Sequence, residues 1–143
     1  MALEIAPYDP SWPAAAEAAM AELCRSLPGV FSAIEHVGST SVPGLAAKPI
    51  VDLMAATATL SRLHEGEAPL EALGYHRVEV GMPGRLFYRR AGSGHSDIHL
   101  HVVLDDGWPT RSERALRDYL REHSADATRY AARGLPSVPV WEE

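Results

Sequence analysis

With 143 residues, 46% of them apolar, the chain has the length and composition of one domain that buries a core without covalent staples. Its formal charge of −6 argues against general affinity for nucleic acid or anionic lipid. No apolar run reaches the length of a membrane span, and MALEIAPYDPSWP lacks the basic-then-apolar pattern of a secretory signal. The one cysteine, Cys24, excludes an internal disulfide, and a cytoplasmic location is the expectation.

In chain order, YDPSWP (8–13) reads as an extended turn in which Ser11 caps a helix and Pro13 suits its first turn. That helix covers 12–27, with Met20, Leu23, Cys24 and Leu27 at helical spacing. VFSAIEHV (30–37) reads as a strand, GSTSVPGLAAKP as a turn with one short helical turn, and PIVDLMAA (49–56) as a second strand. Residues 59–73 form a helix weakened by Gly66. Then come short strands over 74–80 and 85–91, a glycine-rich turn GSGHS, and the alternating strand DIHLHVVL (97–104). DDGW turns into an amphipathic helix over 108–123. A last short helix covers 124–133, and the tail from about 134 to 143 is irregular because of its prolines. Strands and helices mix without regular alternation, so the expectation is an α+β domain spanning 1–143 with one mixed β-sheet flanked by helices.

Four stretches could carry chemistry. Gly38 permits a close backbone approach, and Ser39, Thr40 and Ser41 add hydroxyls and amides suited to an anion; the competing reading is a capped turn that binds nothing. Asp52 lies between apolar neighbours, on the face of Ile50 and Met54, and a carboxylate there is costly unless it is paired, bound to a metal or open to a cleft. A structural ion pair with Lys48, the one lysine beside twelve arginines, or with an arginine is the plainer alternative. Strand alternation puts Asp97, His99 and His101 on one face, available for metal binding, proton transfer or phosphate, unless that face belongs to a solvated edge.

His36 ends the first strand and converges with Asp52, His99 and His101 if the two apolar strands are neighbours. Glu35 then points to the opposite face. Arg85, Arg89 and Arg90 on the hairpin, and Arg114, Arg117 and Arg121 along the 108–123 helix, are further anion donors or simply solvated charges. Glu113 and Arg117 have i,i+4 spacing.

The run IEHVGSTSVPGLAAKPIVDL (34–53), with YDPSWP before it and HLHVV and RDYLREH after it in order, resembles the signature of the GrpB family, placed in the nucleotidyltransferase superfamily. The resemblance covers residues 4 to 133. It implies a nucleotidyltransferase-like core with a Gly-Ser turn between the first two core strands. Active members of that superfamily hold a nucleoside triphosphate at this turn. They bind divalent metal, Mg²⁺ or Mn²⁺, through two carboxylates two residues apart and a third from a later strand. Carried onto this chain, the turn is Gly38-Ser39 and Asp52 takes the second carboxylate position. The third falls at His99 or His101, with Asp97 nearby. The first falls on Ile50, which cannot ligate a metal.

Three functions stay open on these grounds. One is a nucleotidyltransferase-like protein that binds a nucleotide or other phosphate-bearing small molecule through Gly38, Ser39, Thr40, Ser41, Lys48, Arg85 and Arg117, with metal or proton chemistry at Asp52, His99 and His101. The second is a different small-molecule enzyme using His36, His99 or His101 as acid or base. The third is a binding module without catalysis. Neither nucleic acid nor membrane is an expected partner.

Overall fold

In the computed structural model, residues 5–92 and 96–132 are described. Helix α1 (Ser11–Ser26) starts at Ser11 itself, with Pro10 at the N-cap position, and the Asp9 carboxylate accepts the Ser11 N–H at 2.8 Å. That bond holds the Asp9 carboxyl below its usual value. One face of α1 buries Trp12, Ala16, Ala19 and Leu23, each at most 2% exposed.

Five strands follow: β1 (Phe31–Val37), β2 (Ile50–Thr57), β3 (His76–Arg77), β4 (Arg85–Arg90) and β5 (Asp97–Leu104). They form one mixed sheet in the order β1-β2-β5-β4-β3. β2 and β5 run parallel, and every other neighbouring pair is antiparallel. The molecule is therefore α+β with a single mixed sheet flanked by helices, as the sequence suggests.

The helix expected over 59–73 is two short ones, α2 (Leu60–Glu65) and α3 (Ala68–Ala72). Gly66 caps the first, its N–H reaching the carbonyls of Arg62 and Leu63 at 3.1 Å, and Pro69 sits at the start of the second. The strand expected over 74–80 shrinks to two residues at the sheet edge. The helix expected over 108–123 begins as a 3-10 segment (Asp105–Thr110) containing Pro109, and only then becomes α4 (Ser112–Glu122). α5 (Ser124–Ala132) packs against α4. The GSGHS turn lies partly, and the tail wholly, outside the described residues.

Strand alternation divides the sheet into two chemically different faces. Val51, Leu53 and Ala55 of β2, with Ile98, Leu100 and Val102 of β5, pack under α1 and the α2–α3 segment as the main core. On the opposite face Val37, Met54 and Val103 form a smaller apolar cluster with Trp108. Asp52 of β2 and Asp97, His99 and His101 of β5 belong to that second face.

Candidate functional site

The parallel register sets Asp52 opposite His99, and Met54 opposite His101. Asp52 Oδ1 lies 3.4 Å from His101 Nε2 and 3.7 Å from His99 Nδ1, the first a long hydrogen bond and the second a contact. Asp52 and His101 are fully buried, and His99 is 9% exposed. β5 is an inner strand between β2 and β4, so the histidine pair is not the solvated face of an edge. The two imidazoles are polar neighbours of the Asp52 carboxylate.

Phe87 of β4, paired with His101, completes the arrangement. Its ring stacks on His101 at 4.8 Å between centroids and meets His99 edge-on at 5.2 Å. The short segment between the two strands is the one sequence signal for this wall; the register that sets Phe87 opposite His101 is not legible from either strand alone. Burial pushes His99 down to about 4, with the Arg89 guanidinium acting the same way. Burial pushes His101 well below its ordinary range, and Arg85 adds to it. Both shifts favour the neutral form of the ring.

The anion-binding reading of the turn survives in part. Gly38 adopts φ 79° and ψ −177°, a conformation that is essentially reserved for glycine. It follows Val37, the residue paired with Asp52, so the turn sits at the same end of the sheet as the carboxylate. Two of the three hydroxyls are committed to the turn itself. Thr40 Oγ1 donates to Ile50 O at 3.0 Å, and Ser41 Oγ donates to Gly38 O. Ser39 retains a hydroxyl with no bond to another described residue, as do the amides of Ser39 and Thr40.

The convergence expected of His36 is not found. β1 and β2 are indeed neighbours, but His36 pairs with Leu53, so it belongs to the main-core face. Its Nε2 meets Thr40 Oγ1 at 2.9 Å. Glu35 instead pairs with Met54 and shares the face of Asp52. Sequence counting along β1 could not settle this, because the outcome depends on the cross-strand register.

The arginines are also reassigned. Arg85 forms a buried ion pair with Glu113 of α4 at 2.9 Å, their side chains 6% and 2% exposed. Glu113 therefore serves Arg85 rather than the Arg117 expected from its i,i+4 spacing. Arg117 donates to Glu35 Oε1 at 2.7 Å, to His36 O at 3.1 Å and to Asp118 Oδ1 at 2.9 Å. Neither Arg85 nor Arg117 stands open as a phosphate contact. Lys48 is half-buried just before Pro49. Asp97 accepts the Gly92 N–H at 2.9 Å and lies 3.8 Å from Arg89.

These residues do not fit the metal set that the resemblance implies. Mg²⁺ takes oxygen ligands, and this face supplies one buried carboxylate, with an isoleucine two residues before it and imidazoles where the third ligand is implied. Among the described residues, no group of three or more His, Cys, Asp and Glu side chains is placed to hold a metal ion. The arrangement suits proton handling instead: a carboxylate can orient a neutral imidazole and stabilise it once it accepts a proton.

A mixed five-stranded sheet with helices on it, a glycine turn after the first strand and an acidic residue inside the second define an α+β protein of a recognisable kind. The model of the family described as GrpB protein matches residues 2–134, and the chain belongs to the GrpB family. A UPF0157 protein of Pseudomonas aeruginosa is 40% identical over 138 residues, covering 90% of this chain and 54% of the relative. A UPF0157 protein of Streptomyces coelicolor is 39% identical over 97 residues, covering 68% of this chain and 50% of its own length. The crystal structure of conserved protein GrpB from Enterococcus faecalis matches the fold with a TM-score of 0.82 at 33% identity, covering 90% of this chain and 79% of that one. The chain spans about half the length of these curated relatives.

Proposed function

We propose that this chain binds a phosphate-bearing small molecule, with a nucleoside triphosphate as the first candidate, at the end of the sheet that carries Gly38 and Asp52. One observation carries the reading. A fully buried carboxylate faces two buried imidazoles across a parallel strand pair, beside a glycine turn whose Ser39 hydroxyl and amides have no bond to another described residue. Phosphate oxygens accept from such amides. In this reading Asp52 with His99 and His101 moves protons on the bound molecule, and no step runs through a divalent ion. Membership of a nucleotidyltransferase-like superfamily supports the choice of nucleotide.

Isothermal calorimetry with ATP, GTP, CTP and UTP, each with and without Mg²⁺ or Mn²⁺, tests the proposal. The expected result is binding of at least one nucleotide, weakened at least tenfold by Ser39→Ala. No binding of any nucleotide at millimolar concentration would sink it.

Ile50, at the position of the first implied carboxylate, favours a second reading. The same face then performs acid–base chemistry on a small anionic or amide-containing metabolite that is not a nucleotide. A thermal-shift screen of metabolites addresses it. An activity found that way and untouched by both His99→Ala and His101→Ala would exclude it.

A further inference from the structure

Three arginines of α4 lie at i, i+3 and i+7, a spacing that puts them along one side of the helix. Each is engaged with β1 or with the turn that follows it. Arg114 grips the Glu35 carboxylate with two nitrogens, at 3.1 and 3.2 Å. Arg117 donates to the His36 carbonyl at 3.1 Å, two residues before Gly38. Arg121 Nε donates to the Ser41 carbonyl at 2.9 Å, three residues after it. The backbone of the turn is thus held from both sides by guanidinium groups of one rigid helix, and Leu120 packs on Val42 just beyond.

We infer that Arg117 and Arg121 are positioning residues for the Gly38–Ser41 turn, fixing the amides and the Ser39 hydroxyl in the arrangement that receives phosphate. This deepens the proposed function and rests on it. The physical reason is preorganisation. A turn built on a glycine has access to many backbone conformations, and a ligand that had to order it would lose affinity in doing so. A carbonyl is a directional acceptor, so one charge-assisted bond on each flank restricts the turn without occupying its amides. Arg117, with its bonds to Glu35 and Asp118 as well, anchors the helix, whereas Arg121 reaches from an exposed position and has one role to lose.

The test compares ATP with adenosine by calorimetry on the intact chain and on Arg121→Gln and Arg121→Lys, with thermal unfolding recorded for each. In the wild type, ATP should bind at least tenfold tighter than adenosine. Arg121→Gln should weaken ATP at least fivefold, leave adenosine within twofold and leave the melting temperature within a few degrees. Arg121→Lys, which keeps a donor for Ser41 O, should recover most of the loss. The difference between variants should persist in 0.5 M NaCl, where long-range attraction by the bare charge is screened. If Arg121→Gln binds ATP as the wild type does, or loses ATP and adenosine equally, the positioning role is overturned and the phosphate site stands. If the wild type binds ATP no better than adenosine, the phosphate site falls and the positioning role falls with it.

Discussion

The Thr40 hydroxyl has one proton, and the Ile50 carbonyl takes it at 3.0 Å. The same oxygen must then accept from His36 Nε2 at 2.9 Å, which leaves Nδ1 as the bare nitrogen of a neutral ring. Burial holds that ring down at about 4, with Arg121 and Arg117 adding to the effect. Nitrogen-15 NMR of the folded chain should show the Nε2–H tautomer at pH 7 and no protonation above about pH 5. The stability consequence has a definite sign. The unfolded ring protonates near its ordinary value of 6.5 and the folded ring near 4, so the unfolded chain gains the proton first as pH falls. Stability is complete above about pH 6.5 and drops toward pH 4, by about 2 kcal/mol at pH 5 from this group. Urea unfolding at pH 7.5 and 5.0 measures it, and His36→Gln should remove this share of the response while His99 and His101 keep theirs; an unchanged slope in that variant would clear His36 of any part. Asp52 was legible from sequence because a carboxylate among Ile50, Val51, Leu53 and Met54 has few plain explanations. His36 was not, because its face is decided by pairing with β2 rather than by its own neighbours.

Pairing between elements accounts for most of what spacing along α4 failed to show. Glu113 and Arg117 are one helical turn apart, but each finds a better partner in the sheet: Arg85 of β4 for the first and Glu35 of β1 for the second. The Arg85–Glu113 pair is almost fully buried, so removing one member leaves the other charged and without its partner. Glu113→Ala is expected to cost about 3–5 kcal/mol. The double variant Arg85→Met with Glu113→Leu should recover much of it, because an apolar pair avoids the desolvation of two charges. Urea denaturation of the single and double variants decides this. A single variant as stable as the wild type would show that the pair contributes nothing. Local pattern served well where an element is regular. The alternation of DIHLHVVL places β5 to the residue, while Gly66, Pro69 and Pro109 interrupt helices that periodicity alone would carry through.

At the scale of the molecule, Gly38, Ser39, Asp52 and His99 lie toward one end of the sheet, and a pocket at the opposite end is lined by residues that include Leu27, Val30, Thr57 and Arg62. Titration with ATP should therefore shift the amide resonances of Gly38, Ser39, Thr40 and Asp52 and leave those of Val30, Thr57 and Arg62 in place. Shifts concentrated at the second group would relocate the site. One carboxylate with two imidazoles is a poor match for Mg²⁺, so excess EDTA should change the ATP dissociation constant by less than twofold. A tenfold loss would mean that the ion supplies contacts the side chains do not. The α+β class followed from the order of elements and the family from one long motif. Phe87 against both histidines was not read from the sequence, because alternation fixes the faces within β4 and within β5 but not the register between them.

The parallel pairing of β2 with β5 also has a kinetic side. The β1–β2 and β4–β5 pairs are antiparallel and join strands consecutive in the chain, but Asp52 and His101 are 49 positions apart, joined by a connection that holds α2, α3 and the edge hairpin. Closing that connection is the slow, high-contact-order event of folding, since its entropy must be lost before the strands reward it. The two antiparallel halves can assemble first, one carrying the acid and the other the imidazoles. A chain caught between those stages has much of its secondary structure and none of its site, so ligand binding in a refolding experiment should appear only with the final phase.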